Sequence, residues 1–172
     1  MNEYLIENGK KVSWKKLNTG LMSKKDYSLA HQYLVIACHD IIIEYHGGIL
    51  LVVRDNLPAK DQLWPIGGRI LRGMSIIDSL KKKVKEECNL EVTDIKELGW
   101  GRTGFNTDPF NHGKGTDTIS IMYYGKGTGQ LRLNKLHKNP TIIKKSEYTP
   151  KLRATLHPYV REMIDKALSY IK

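Results

Sequence analysis

The chain has 172 residues, 40% hydrophobic and 27% charged, which is enough to bury one sizeable core and too apolar for a disordered chain. Its formal net charge of +10 favours anionic partners such as nucleotides, nucleic acid or acidic surfaces, although lysine-rich solubility accounts for it equally well. The most apolar stretch, residues 33–53, is broken by His39, Asp40, Glu44 and His46, which excludes a bilayer-spanning helix there.

Residues 1–20 are polar and read as an N-terminal extension, with "ENGK" as a hairpin turn. Ser23 is suited to cap a short helix running to about residue 31. "YLVIACHDIIIEY" and "ILLVVRD" are β-branched runs joined by "HGG", which predicts a hairpin. Residues 55–69, with Pro58, Pro65, Gly67 and Gly68, read as a loop, and a helix is predicted from 75 to about 89. "EVTDIKELGWGRT" and "TDTISIMYYGKG" read as strands around a polar loop at 104–116, with "QLRLN" as one more short strand. Pro158 suits the first turn of a last helix that carries Val160, Ile164, Ala167, Leu168 and Ile171 on one face. Strands around a central helix, with a second helix closing the chain, give an α+β fold, a mixed sheet between helices, in a single domain over residues 1–172. "MNEYLIENGKK" is polar from its start and lacks a secretory core. Cys38 and Cys88 form no framework and read as buried thiols, so a cytoplasmic location is expected.

The stretch "GGRILRGMSIIDSLKKKVKEECNL", residues 67–90, carries the chemistry. At about 100° per residue, Ile76, Leu80 and Val84 form one stripe of the helix. Glu87 projects inside that stripe, whereas Glu86 lies roughly a quarter-turn or more away and needs no partner but water. A carboxylate on the buried face needs a counter-charge or a metal, because burying a bare charge is costly. The Gly67–Gly68 pair lets backbone approach a ligand, and Arg69 beside it offers a planar fork for phosphate. Backbone carbonyl, carboxylate and phosphate oxygens are the ligands magnesium prefers. His31, His39 and His46 have no metal-ligand spacing, and Trp64, Trp100, Phe105 and Phe110 read as packing residues, with base stacking an alternative for Trp64.

The order and spacing resemble the Nudix hydrolase signature, in which Gly-x5-Glu-x7 precedes Arg-Glu-aliphatic-x-Glu-Glu-x-Gly-aliphatic. Laid from Gly68, the signature matches at Gly68, Val84, Glu86, Glu87 and Leu90, and departs at Met74, Lys82, Lys83 and Asn89. The flanking "RDNLPAKDQLWPIGGRI" is similar to the GDP-mannose mannosyl hydrolase branch, through Arg54, Asn56, Pro58, Ala59, Trp64, Gly67, Gly68 and Arg69. Gly115, Thr116, Asp117 and "LHPYVRE" extend that similarity, which covers the chain from Leu21 onward.

The resemblance implies the Nudix α/β/α sandwich and a magnesium-assisted hydrolase of a nucleotide-diphosphate sugar, GDP-mannose-like, that releases the nucleoside diphosphate. In that branch water attacks the anomeric carbon with inversion while metal and arginines stabilise the leaving pyrophosphate. Carried over, Gly67, through its carbonyl, and Glu87 are the metal ligands, with Glu86 beside them. Arg54 and Arg69 take the catalytic and substrate-binding roles of neutralising the diphosphate. The branch's general base, a histidine in the loop after the next strand, has no counterpart at its aligned position near Gly104, and the neighbouring glutamine ligand falls near Thr103. His112 and Asp108, elsewhere in that loop, are the candidate bases. Met74 and Lys82 remove a salt bridge that steadies the site in other Nudix proteins. Lys83 replaces a glutamate that binds metal in most of them, and four residues before Glu87 its ammonium can satisfy that carboxylate or repel magnesium. The alternatives are a hydrolase of nucleoside polyphosphates or capped RNA, which the basic charge suits, and a non-catalytic Nudix-fold protein that binds a nucleotide or a partner. Nucleic acid remains open as a partner, behind nucleotides, and the family resemblance is compatible with a homodimer.

Overall fold

The computed structural model describes residues 2–171. A small antiparallel ribbon, β1 (Ile6–Glu7) and β2 (Lys10–Lys11), turns at Asn8 and Gly9, both at positive φ. A single-turn helix α1 (Trp14–Leu17) follows, then α2 (Lys24–Tyr33), whose N-terminus is capped by Ser23. The extension packs on the body of the protein. Glu3 Oε1 accepts the Ile76 N–H at 2.9 Å, and the Asn18 backbone lies where a Cβ on Gly73 would sit, at 2.4 Å.

The expected hairpin forms from β3 (Ile36–Tyr45) and β4 (Gly48–Arg54), joined by His46 and Gly47, both at positive φ, the geometry a tight two-residue hairpin turn demands. The segment read as a loop at 55–69 also contains two short strands, β5 (Leu63–Trp64) and β6 (Ile66–Arg69). β6 pairs with β3, Asp40 opposite Gly67. No side chain fits at Gly67, because a Cβ there would lie 2.2 Å from Asp40 Oδ1 and 2.4 Å from the His39 carbonyl oxygen. Helix α3 (Ile76–Cys88) is bounded by Ser75 as N-cap and by Asn89, left-handed at φ 60°, as C-cap. β7 (Glu91–Phe105) and β8 (Thr116–Thr128) form a long antiparallel pair, and β8 runs parallel to β3. The sheet order is β5-β4-β3-β8-β7, with β6 also on β3 and β9 (His137–Ile143) on β4. Helices α4 (Pro150–Thr155) and α5 (Pro158–Ala167) close the chain.

The sequence "QLRLN" is not a strand. Arg132 N–H donates to Cys88 O at 3.1 Å and Asn134 N–H to Glu87 O at 2.9 Å. These donors satisfy carbonyls that the end of α3 leaves open, and pairing to the sheet passes instead to β9.

The mixed sheet lies between α3 and α5, as the α+β reading expects. Ile41, Ile43, Leu50, Leu80 and Val84 pack on the α3 side, and Ile42, Leu51, Met122, Met163 and Ile164 on the α5 side. Side chains alternate across a strand, so Ile42 faces one layer while Ile41 and Ile43 face the other. That is why Ile41, Ile42 and Ile43 stand consecutively in the middle of β3 rather than alternating with polar residues. Cys38 and Cys88 are buried free thiols. Among the described residues no helix is long and apolar enough to cross a membrane.

Candidate functional site

A cleft opens where β3, β4, β6 and β8 meet the end of α3, and α2 and the 106–115 loop form its rim. Glu87 is at its base, 5% exposed, on the α3 stripe as the helical projection requires. Its Oε2 faces the Gly67 N–H at 3.4 Å, and its Oε1 faces Lys83 Nζ at 3.7 Å. Burial pushes the Glu87 carboxyl up to about 7, against the pull of the Lys83 ammonium, the Gly67 N–H and Arg54.

The β4–β9 register sets Arg54 directly opposite His137. His137 Nε2 faces Glu87 Oε2 at 3.8 Å. On the other side of the ring Nδ1 is 3.1 Å from Asn134 Oδ1, an oxygen that also accepts the Leu136 N–H at 3.0 Å. An oxygen acceptor there fixes the Nδ1–H tautomer and leaves the Nε2 lone pair toward the cleft. Burial, then the Arg54 and Lys83 charges, lower the imidazole to about 4, so it is neutral near pH 7.

Arg54 lines the cleft and its Nε has no hydrogen-bond partner among the described residues. Burial lowers its pKa, opposed by Asp40 and Glu87, yet a guanidinium does not discharge in a protein. Arg54 is therefore a partly buried cation with a donor left over. Arg69 also lines the cleft, its guanidinium stacked 3.9 Å from the Tyr27 ring centroid on α2. Asp40, beneath them, accepts the Tyr159 hydroxyl at 2.7 Å, and burial raises its carboxyl.

No protein-family model matches the chain. The low-salt glycan biosynthesis protein Agl8 of Haloferax volcanii is 25% identical over 128 residues, covering 73% of this chain and 78% of that protein. A MutT NUDIX hydrolase from Burkholderia pseudomallei superposes with a TM-score of 0.62 at 15% identity, covering 77% of this chain and 98% of that one. The NUDIX domain of Shewanella oneidensis NrtR, crystallised with ADP ribose, gives 0.61 at 15% identity over 88% of this chain and 100% of that one. A NUDIX-family hydrolase from Clostridium perfringens gives 0.62 at 15% identity over 81% and 99%. The fold is the Nudix fold.

Within this Nudix fold the residues carried over as metal ligands separate. Glu87 and Gly67 are adjacent in the cleft. Glu86 points outward, its side chain half exposed and 3.9 Å from Lys82 Nζ, one quarter-turn from the cleft face. Among the described residues no group of three or more His, Cys, Asp and Glu is disposed to hold a metal. The donor set does not fit a resident dication. Magnesium asks for several oxygen ligands, and of the two cleft carboxylates Glu87 already faces an ammonium, with Arg54 nearby, while Asp40 is bound by the Tyr159 hydroxyl.

The loop candidates are committed elsewhere. Asp108 is buried and accepts three backbone N–H groups, from Phe110 at 2.8 Å, His112 at 3.1 Å and Gly113 at 3.0 Å. Burial works to raise its carboxyl, and these donors overcome that and hold it below the usual carboxylate range. His112 Nδ1 accepts the Lys114 N–H at 3.1 Å, so Nε2 carries the proton and donates to His31 Nδ1 on α2 at 3.0 Å. Neither Asp108 nor His112 lines the cleft; their neighbours Pro109 and Phe110 do. The cleft imidazole beside Glu87 is His137, which no local motif in the sequence marks. Its neighbour Arg54 becomes adjacent only through the pairing of β4 with β9.

Proposed function

We propose that this chain hydrolyses a nucleoside-diphosphate derivative, with nucleotide-diphosphate sugars of the GDP-mannose type as the substrate class. The observation that carries the reading is the cross-strand pair Arg54–His137, an under-partnered cation beside a neutral imidazole with a free lone pair. Arg54 and Arg69 hold the diphosphate, Arg69 with its plane already set by Tyr27. His137 Nε2 takes a proton from the attacking water, the water oxygen bonds to the anomeric carbon, and the bond from that carbon to the diphosphate oxygen breaks. The electron pair leaves on the diphosphate, where the arginines meet the new charge. Burial depresses the imidazole first, and Arg54 and Lys83 add to it; a bound diphosphate offsets those two charges and makes His137 a stronger base when it is needed. Magnesium, which the family resemblance brings with it, enters this reading only as an ion carried in by the diphosphate itself.

The test is a panel of GDP-mannose, other nucleotide-diphosphate sugars, ADP-ribose and nucleoside triphosphates, with products separated by ion-exchange chromatography. Release of a nucleoside diphosphate and free sugar is expected. A nucleoside monophosphate with a sugar phosphate would move the attack to phosphorus and overturn the assignment at carbon. The ion pair between Lys83 and Glu87 favours a second reading, a nucleotide binder without turnover, which predicts binding of the panel with no product.

A further inference from the structure

Two lysine–glutamate pairs lie side by side on α3 at the same spacing, and they differ. Lys82 and Glu86 are each about half exposed, with side chains 49% and 50% accessible, and 3.9 Å apart, a solvated surface pair. Lys83 and Glu87 are 19% and 7% accessible, and both line the cleft. The Lys83 side chain also lies over the glycine pair. A Cβ built on Gly68 would meet its Cε at 3.7 Å and its Nζ at 4.0 Å. We propose that the Lys83 ammonium takes the position of a divalent cation in this cleft and binds the diphosphate directly, so that ligand binding does not require metal. The inference rests on the nucleoside-diphosphate reading above and names the group that supplies its third positive charge.

The argument is one of charge and donors. Arg54, Arg69 and Lys83 bring three cations to one cleft, against Glu87 and an Asp40 already bound by Tyr159. Like charges gathered in one partly desolvated cleft repel, so a free dication meets an unfavourable field there. An anion meets a favourable one. An ammonium has three donors, and Glu87 uses the direction of one of them, which leaves donors for phosphoryl oxygens. Lysine serves as a point-charge phosphate ligand wherever geometry is loose, while the arginines supply the planar contacts. Glu87 then positions the ammonium beneath the diphosphate rather than ligating an ion.

Calorimetric titration of GDP and of inorganic pyrophosphate decides it, with protein in EDTA and then in magnesium. The expected result is GDP binding in EDTA within about threefold of its affinity in magnesium, with Lys83→Met weaker by about tenfold or more. Lys82→Met should match the parent, Lys83→Arg should keep most of the affinity, and Lys83→Glu should make binding depend on magnesium. Both positions lie in the middle of α3, and unchanged far-UV circular dichroism verifies that the variants fold. GDP binding that needs magnesium in the parent protein, or that is indifferent to Lys83→Met, overturns the role of Lys83 and leaves the diphosphate reading standing. Failure of GDP and pyrophosphate to bind under either condition overturns that reading, and the inference with it.

Discussion

Glu87 ties the proposed diphosphate site to the stability of the fold. Its carboxyl is pushed up to about 7 from 4.5, mainly by burial, so the folded protein favours the protonated form. Its contribution is therefore complete below pH 4.5 and lost as pH rises through 7. His39 and His137, both lowered to about 4, act in the opposite sense, losing stability as pH falls below 6.5 toward 4. They are common to the parent and to Glu87→Gln and largely cancel in the difference. The variant is expected to gain on the parent as pH goes from 4.5 to 7, by on the order of 3 kcal/mol, read from urea midpoints across that range. A gap that does not change with pH would mean that Glu87 is solvated. In function the same variant is expected to lose diphosphate affinity, because Lys83 loses the carboxyl group that positions it beside Gly68. The inward aim of Glu87 is legible in the sequence, since a helical projection needs only the residue interval. His137 is not legible, because its neighbours are set by strand register between distant segments, and neither Asn134 nor Arg54 stands in a spacing that marks a base.

At the level of elements, α2 and the 106–115 loop act as one rim. Asp108 gathers three backbone N–H groups of the loop, and His112 ties the loop to His31 on α2, while Phe110 meets Tyr27 edge-on with ring centroids 5.2 Å apart. Tyr27 in turn supports Arg69. Asp108→Ala strands those donors and is expected to lower the urea midpoint. It should also raise KM several-fold for whichever substrate of the panel is turned over, while the pH dependence of kcat keeps its shape. His137→Ala should do the reverse, lowering kcat by about a hundredfold or more with a modest change in KM. Steady-state kinetics of the two variants separate a rim that positions Arg69 from a residue that moves a proton; a pH profile altered by Asp108→Ala would return the base to the loop. Helix α3, the β3–β4 hairpin and α5 are legible locally through capping residues, turn residues and apolar period. The fate of "QLRLN" is not, because its apolar alternation resembles a strand while its N–H groups are taken by the open carbonyls of α3.

Across the whole molecule, a single sheet is shared by two cores, and helices from both sides of it hold the cleft. Glu87 and Lys83 ride on α3, whereas Tyr159, which donates to Asp40, rides on α5. Leu80 on α3 and Met163 on α5 are both fully buried, one in each core. Truncation of either to alanine is expected to cost about 2–5 kcal/mol, since each removes comparable apolar volume. Neither core is closed without the sheet between them, because Ile41, Ile42 and Ile43 of β3 alternate between the two. Loss on one face therefore exposes the back of the other, and unfolding should be one transition for both variants. Trp64 packs in the α5-side core, stacked on Tyr159 with centroids 5.7 Å apart, so in a background with Trp14 and Trp100 replaced by phenylalanine its fluorescence reports that side, while far-UV circular dichroism reports the whole chain. The two signals should give coincident urea curves for Leu80→Ala as well as for Met163→Ala. A Leu80→Ala curve in which ellipticity falls before fluorescence would mean that α3 detaches alone. Of the three cleft cations Lys83 alone would then sit on a separable element, apart from Arg54 on β4 and Arg69 on β6, and diphosphate binding, by holding Lys83 over Gly68, would be what docks it.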